Sequence, residues 1–174
     1  QGSFFSAIFR KIFGGENFFL GKYEHPNGGS LTFAPSIPGH VEHRQLSNNS
    51  LNVMAGCFLA CTPGVNIKAK FGGLKAFFSG EGAFLLEASG NGDLFFNSFG
   101  GIVKKEINGE FIVDTGHVVA FDSSLNYSIT GMGNFKSTML SGEGLVMKFK
   151  GAGTLYLQTR NVSSVASWLT PRLL

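Results

Sequence analysis

The sequence predicts an all-β fold built of repeated antiparallel β-sandwich units, and three observations carry that expectation. A motif returns: Phe78-Ser79-Gly80-Glu81-Gly82 reappears as Leu140-Ser141-Gly142-Glu143-Gly144 and, more weakly, as Phe13-Gly14-Gly15-Glu16-Asn17. After each copy an apolar run leads to Asn27-Gly28-Gly29, Gly90-Asn91-Gly92 or Gly151-Ala152-Gly153, and then to Leu31, Leu94 or Leu155. That order reads as strand, hairpin turn, strand. Residues 51–69 and 111–129 also align at a constant offset, pairing Leu51 with Phe111, Val53 with Val113, Gly56 with Gly116, Leu59 with Val119, Val65 with Leu125 and Ile67 with Tyr127. Odd positions are mostly apolar in both, the period of strands with one face inward. Composition agrees: 43% hydrophobic and 14% charged residues, 25 glycines without a collagen period, and 19 phenylalanines suited to a dry interior between sheets.

Joining the two patterns gives one β domain over residues 1–174. It comprises a partial unit at 1–45, a unit at 46–105, a unit at 106–160 and a C-terminal helix at 161–174. The first unit holds only its second half, which leads us to expect that the natural polypeptide is longer. Between glycines, Ala83 to Ser89 is one residue longer than Leu145 to Lys150. One ladder is therefore expected to carry a bulge or a shifted turn.

Taken in order, Phe5, Ile8, Phe9 and Ile12 stand at helical spacing, so residues 3–13 read as a short amphipathic helix. Similar helical turns are expected at Leu74, Phe77 and Phe78, and at Phe135, Met139 and Leu140, ahead of the other motif copies. Pro35 and Pro38 mark a connection or a sheet edge. His40, Glu42 and His43 invite a metal reading, but on a strand His43 faces away from the other two, and exposed edge residues are the simpler expectation. Gly56 and Gly116 suit a bulge or bend. Cys57 and Cys61 fall in a segment read as one strand, about 13 Å apart, too far to bridge or to share a metal. In the tail, Ser163 or Ser164 is the expected N-cap of a helix docked by Trp168 and stopped by Pro171.

The candidate functional residues are few. Glu16, Glu81 and Glu143 recur between small turn residues, where a carboxylate can accept backbone N–H groups. Their functional reading is a shared site near a pseudo-threefold axis. Lys148, Lys150 and Arg160 are the candidate RNA contacts. No catalytic, metal or cofactor residues are assigned: Asp114 and His117, three apart in a strand, face opposite sides, and no serine or cysteine stands in a nucleophile elbow. The formal net charge of +3 is too mild to argue for nucleic acid or an anionic membrane. No apolar run approaches the roughly 20 residues of a membrane span and no signal peptide is seen, so the expected location is cytoplasmic.

The Gly-Glu-Gly motif, Val113-Asp114-Thr115-Gly116-His117-Val118-Val119-Ala120-Phe121, and Leu157-Gln158-Thr159-Arg160 together resemble a widespread bacterial and fungal family. It takes its name from a yeast protein for altered inheritance of mitochondria, number twenty-four in its series. The resemblance covers nearly all of residues 4–171, including Ala60-Cys61-Thr62-Pro63-Gly64-Val65 and Ala166-Ser167-Trp168-Leu169-Thr170-Pro171-Arg172. It implies a double-stranded β-helix like that of the trp RNA-binding attenuation protein, no catalytic residues, and a link to membrane organisation in fungi.

The resulting expectation is a non-enzymatic scaffold or binding protein that forms a homo-oligomer, with protein partners open. The alternatives are a single-stranded RNA-binding module and an enzyme of unknown activity. Nucleic acid and direct membrane contact are not expected.

Overall fold

The computed structural model describes residues 7–13, 16–71, 84–131 and 145–173, which fall into two compact units, Gln1–Ala34 and Pro35–Leu174. In the first, β1 (Ala7–Phe13) and β2 (Glu16–Lys22) form an antiparallel hairpin that sets Ala7 opposite Lys22 and Phe13 opposite Glu16. The helix expected over residues 3–13 is thus a strand from Ala7 onward. Its run of isoleucine and phenylalanine suits a pleated surface, and β2 supplies the backbone partner that helical spacing does not consider. The turn expected at Asn27-Gly28-Gly29 is present, with the Gly28 N–H donating to the His25 carbonyl at 3.1 Å. The strand expected after it is not, and Leu31 and Phe33 stand exposed.

The second unit is an eight-stranded antiparallel sheet. Its strands are β3 (Val41–Met54), β4 (Phe58–Cys61), β5 (Val65–Phe71), β6 (Phe84–Asn97), β7 (Ile102–Asp114), β8 (Val118–Asp122), β9 (Asn126–Gly131) and β10 (Leu145–Gln158). Their order is β4-β6-β3-β8-β10-β7, with β5 also on β6 and β9 also on β10. β6 pairs with β3 along its length, with β5 over Phe84 to Gly90, and with β4 over Leu94 to Phe96. β10 does the same with β7, with β9 over Leu145 to Lys150, and with β8 over Leu155 to Leu157.

Gly90-Asn91-Gly92 and Gly151-Ala152-Gly153 are therefore not hairpin turns: each lies inside one 14-residue strand, where that strand passes from one short partner to the next. The glycines are needed for close approach. A Cβ on Gly90, at φ +117°, would fall 2.3 Å from the Gly64 carbonyl oxygen, and one on Gly153 would fall 2.7 Å from Ser124 Oγ. The β3–β6 ladder does carry a bulge, but in β3 and not in the longer Ala83–Ser89 stretch: Asn48 at φ +53° interrupts the register opposite Gly90 and Asn91.

Two further segments read as continuous strands are broken by single 3-10 turns, Ala55–Cys57 and Thr115–His117. Gly56 and Gly116 sit inside them. After them β4 is half-buried along its length and β8 is buried from Val118 to Phe121. Ala120 packs into one core cluster with Leu51, Val53, Ala88, Leu94, Phe96 and Tyr156, while its neighbour Phe121 packs into a second with Leu85, Met147, Phe149 and Leu155. The central strands β3 and β8 thus bury both faces.

Beyond β10, helix α1 (Val162–Leu169) is capped by Asn161, whose Oδ1 accepts from the Ser163 N–H at 2.9 Å and the Ser164 N–H at 3.4 Å. The expected cap at Ser163 or Ser164 is corrected: the asparagine comes first and its side chain reaches both N–H groups. Pro171 lies within a final 3-10 turn, Thr170–Arg172. Trp168 does not dock the helix. It is 58% exposed and no residue of α1 is buried.

Candidate functional site

The cations proposed for RNA contact lie at opposite ends of β10. Lys148 and Lys150 point to the same carboxylate across the ladder, at 2.8 Å from Glu110 Oε2 and 3.1 Å from Glu110 Oε1. These contacts, Lys148 first, hold the Glu110 carboxyl below its ordinary pKa. One carboxylate thus answers half of their charge locally. Arg160 stands beyond Gln158, about 27 Å further along the strand from Lys150, so the three do not converge. Glu16 opens β2, and Glu81 and Glu143 lie outside the described residues.

The remaining sequence candidates have structural partners. His40 Nε2 lies 3.4 Å from Glu42, while His43 turns away to Asp93 at 2.8 Å and stacks on Phe95 at 5.0 Å between centroids. Asp114 Oδ1 accepts from the Gly116 N–H at 2.7 Å, and His117 Nδ1 donates to the Gln158 carbonyl oxygen at 2.8 Å. Both residues serve the 3-10 turn that separates β7 from β8. Among the described residues no three His, Cys, Asp or Glu side chains gather as metal ligands. Cys57 is buried in its 3-10 turn, with its thiol pushed up to about 12, and Cys61 is half-buried at the end of β4, its pKa also raised by burial. Both stay neutral near pH 7 and are poor nucleophiles.

The densest polar constellation was not foreseen. Arg44 of β3 donates to the Tyr156 hydroxyl at 2.7 Å and to Asp122 Oδ1 at 3.2 Å. Asp122 Oδ2 accepts from the Thr154 N–H at 2.8 Å, and the Thr154 hydroxyl donates to the Glu106 carboxylate at 3.2 Å. Burial alone would lower the Arg44 pKa, but the Tyr156 hydrogen bond and the charges of Asp122 and Glu106 outweigh it and raise it. The sequence signal is Tyr156 itself: a hydroxyl inside the apolar run Leu155-Tyr156-Leu157 needs a partner. Every acid and base in the group is paired, so the network pins β3, β8, β10 and β7 together and offers no free group for chemistry.

A hollow of about 300 Å³ opens between the end of β10 and α1, lined by His117, Thr159, Arg160, Asn161, Ser164, Val165 and Trp168. Thr159 Oγ1 accepts from the Gly101 N–H at 2.9 Å and fixes its floor. Arg160 is exposed and has no carboxylate partner among the described residues.

Comparison with known proteins then decides the family. The family described as Mitochondrial biogenesis AIM24 matches residues 1–160. The chain belongs to this family. An uncharacterised protein of Streptococcus pyogenes serotype M6 is 32% identical over 171 residues, covering 97% of this chain and 69% of the relative. The crystal structure of another Streptococcus pyogenes protein, solved by a structural genomics consortium, superposes at a TM-score of 0.71 with 32% identity. That match covers 81% of this chain, and the chain spans 63% of the length of that solved one. Family membership and an antiparallel all-β architecture with one C-terminal helix are thus established. Among the described residues no helix is long and apolar enough to cross a membrane.

Proposed function

We propose that the chain is a non-enzymatic scaffold that works by assembly, self-associating through the free edges of its sheet. Supporting this is a reading of the sheet as one unit used twice, β3-β4-β5-β6 and β7-β8-β9-β10, in a double-stranded β-helix. The single observation that carries the proposal is the seam between the units. There β8 adds to β3, with Leu51 opposite Asp122, Asn52 opposite Phe121 and Val53 opposite Ala120. The stretch Phe111–Val113 of β7 occupies the place of Leu51–Val53 and is the outer strand of the path, with Ile112 58% exposed. β4, at the other end, occupies the place of β8.

Copying the seam onto the two ends sets Ala60–Thr62 of one molecule against Phe111–Val113 of another. Such an interface is head-to-tail and closes into a ring or runs on as a filament. An open edge bearing apolar side chains recruits a strand, and the charges at Lys104, Lys105 and Glu106 keep the rest of β7 from doing so indiscriminately. Polar groups elsewhere are used in pinning strands and capping turns, which favours a scaffold over an enzyme. The family description, mitochondrial biogenesis, fits a protein that orders other components, membranes included, without acting chemically on them.

Sedimentation velocity over a hundredfold concentration range tests the reading. The chain should run as a dimer or larger species, and Ile112→Lys should run as a folded monomer. A strictly monomeric parent chain would overturn it.

A further inference from the structure

We propose that α1 and the hollow beside it form a docking site for an anionic phospholipid surface. Two observations meet there. The first is an apolar face left uncovered: Val162, Val165 and Leu169 recur at helical spacing, Trp168 flanks them, and all four are exposed, as is Leu173 beyond. The opposite face is Ser163, Ser164 and Ser167. A short helix with bulky apolar residues on one side and small hydroxyls on the other seats shallowly at a headgroup–acyl boundary. Tryptophan is the side chain that favours that depth.

The second is charge. Residues 161–174 contain no aspartate or glutamate; Arg160 immediately precedes them and Arg172 lies near their end. Lys104 and Lys105 of the sheet lie over the Tyr156 and Phe111 rings, while other sheet cations meet carboxylates, Lys148 and Lys150 sharing Glu110, Lys70 meeting Glu87 and Arg44 meeting Asp122. Arg160 and Arg172 have none among the described residues. Arg172 instead lies over the Trp168 ring, its guanidinium carbon 4.3 Å from the centroid, which joins the positive charge to the aromatic anchor. Arg160 lines the hollow together with Ser164 and Trp168. The hollow thus offers a guanidinium and a hydroxyl to headgroup phosphate oxygens while the adjoining stripe meets the acyl boundary. A partner protein of matching polarity would need its own acidic groove; a lipid surface supplies both the anion and the apolar layer at once.

Trp168 is the one tryptophan in the chain, so its emission reports on the site alone. With vesicles of phosphatidylcholine containing about 30 mol% phosphatidylglycerol, whose negative surface potential attracts basic residues, the emission should shift to the blue and the protein should float. Pure phosphatidylcholine should produce neither change. The double variant Arg160→Glu, Arg172→Glu should weaken partitioning by about tenfold or more, since each cation near such a surface contributes about fivefold. Because both arginines are exposed, an unchanged far-ultraviolet spectrum is expected alongside. No flotation, equal partitioning into neutral vesicles, or the same emission shift with inorganic phosphate alone would each overturn the proposal. Repeating the assay with Ile112→Lys keeps it separate from the assembly reading, because lipid binding should survive in a monomer.

Discussion

β3 and β7 show what a second neighbour does to a strand. Each is long, each pairs along its length with one long partner, and among the described residues only β3 is flanked on its other side, over Leu51–Val53. On the repeat reading Asn52 and Ile112 are counterparts. The polar one is 3% exposed and the apolar one 58%. Asn52 is held where its Nδ2 reaches Ser123 Oγ at 3.3 Å, while its Oδ1 has no partner among the described residues. Side-chain hydrophobicity therefore does not decide burial here; the strand across the seam does.

The sharpest way to break this comparison is to make one deletion twice. Val53→Ala removes two methyl groups from a fully buried site and should lower unfolding free energy by about 2 kcal/mol. Val113→Ala, only half-buried, should cost less than about 1 kcal/mol in the same urea titration. Equal losses would mean that β7 is covered as β3 is. A smaller effect is expected at the bulge, where Asn48 and Asn91 exchange hydrogen bonds at 2.9 and 2.7 Å. Asn48→Ala should cost about 1 kcal/mol, because it loses the bond that Asn48 Oδ1 accepts from Asn91 and keeps a positive φ, and Asn48→Gly should recover part of it. A neutral alanine variant would show the bulge to be unstrained.

The smallest effect is confined to alkaline solution. Cys57 titrates near 12 when folded, against 9.0 for an unperturbed thiol, so the folded state holds its proton more tightly. The stability this contributes is complete below pH 9 and is lost as pH rises toward 12. Cys57→Ala should have a shallower decline in stability from pH 9 to 10.5 than the parent chain. Parallel curves would place the thiol in water.

Much of this was legible in the sequence. Period-two alternation over residues 51–69 and 111–129 marked the ends of β3 and β7 and the strands β4, β5, β8 and β9, and the apolar runs around the paired glycines marked the two halves of β6 and of β10. What alternation does not encode is where a strand changes partner. Glycine at 90, 92, 151 and 153 looks like a turn because turns and close backbone approaches make the same demand, the absence of a Cβ. The 3-10 turns at Ala55–Cys57 and Thr115–His117 were hidden because three residues interrupt the pattern without resetting its apolar content. The Arg44 network was hidden for a different reason, since its members come from four strands that only tertiary structure brings together.

The two cores have a bearing on how the chain reaches this state. Val119, Ala120 and Tyr156 pack among residues of β3 and β6, and Leu85 of β6 packs among residues of β8 and β10. Neither half closes its own interior, so cutting the chain between Asn97 and Ile102 should leave two fragments that collapse without ordering. The seam that completes both interiors joins Leu51–Val53 to residues about seventy positions later, and contacts so distant along the chain form slowly. Synthesis therefore delivers β3 and β6 well before the strand that shields them, and through that interval Leu51, Val53 and Ala88 depend on chaperones or on speed.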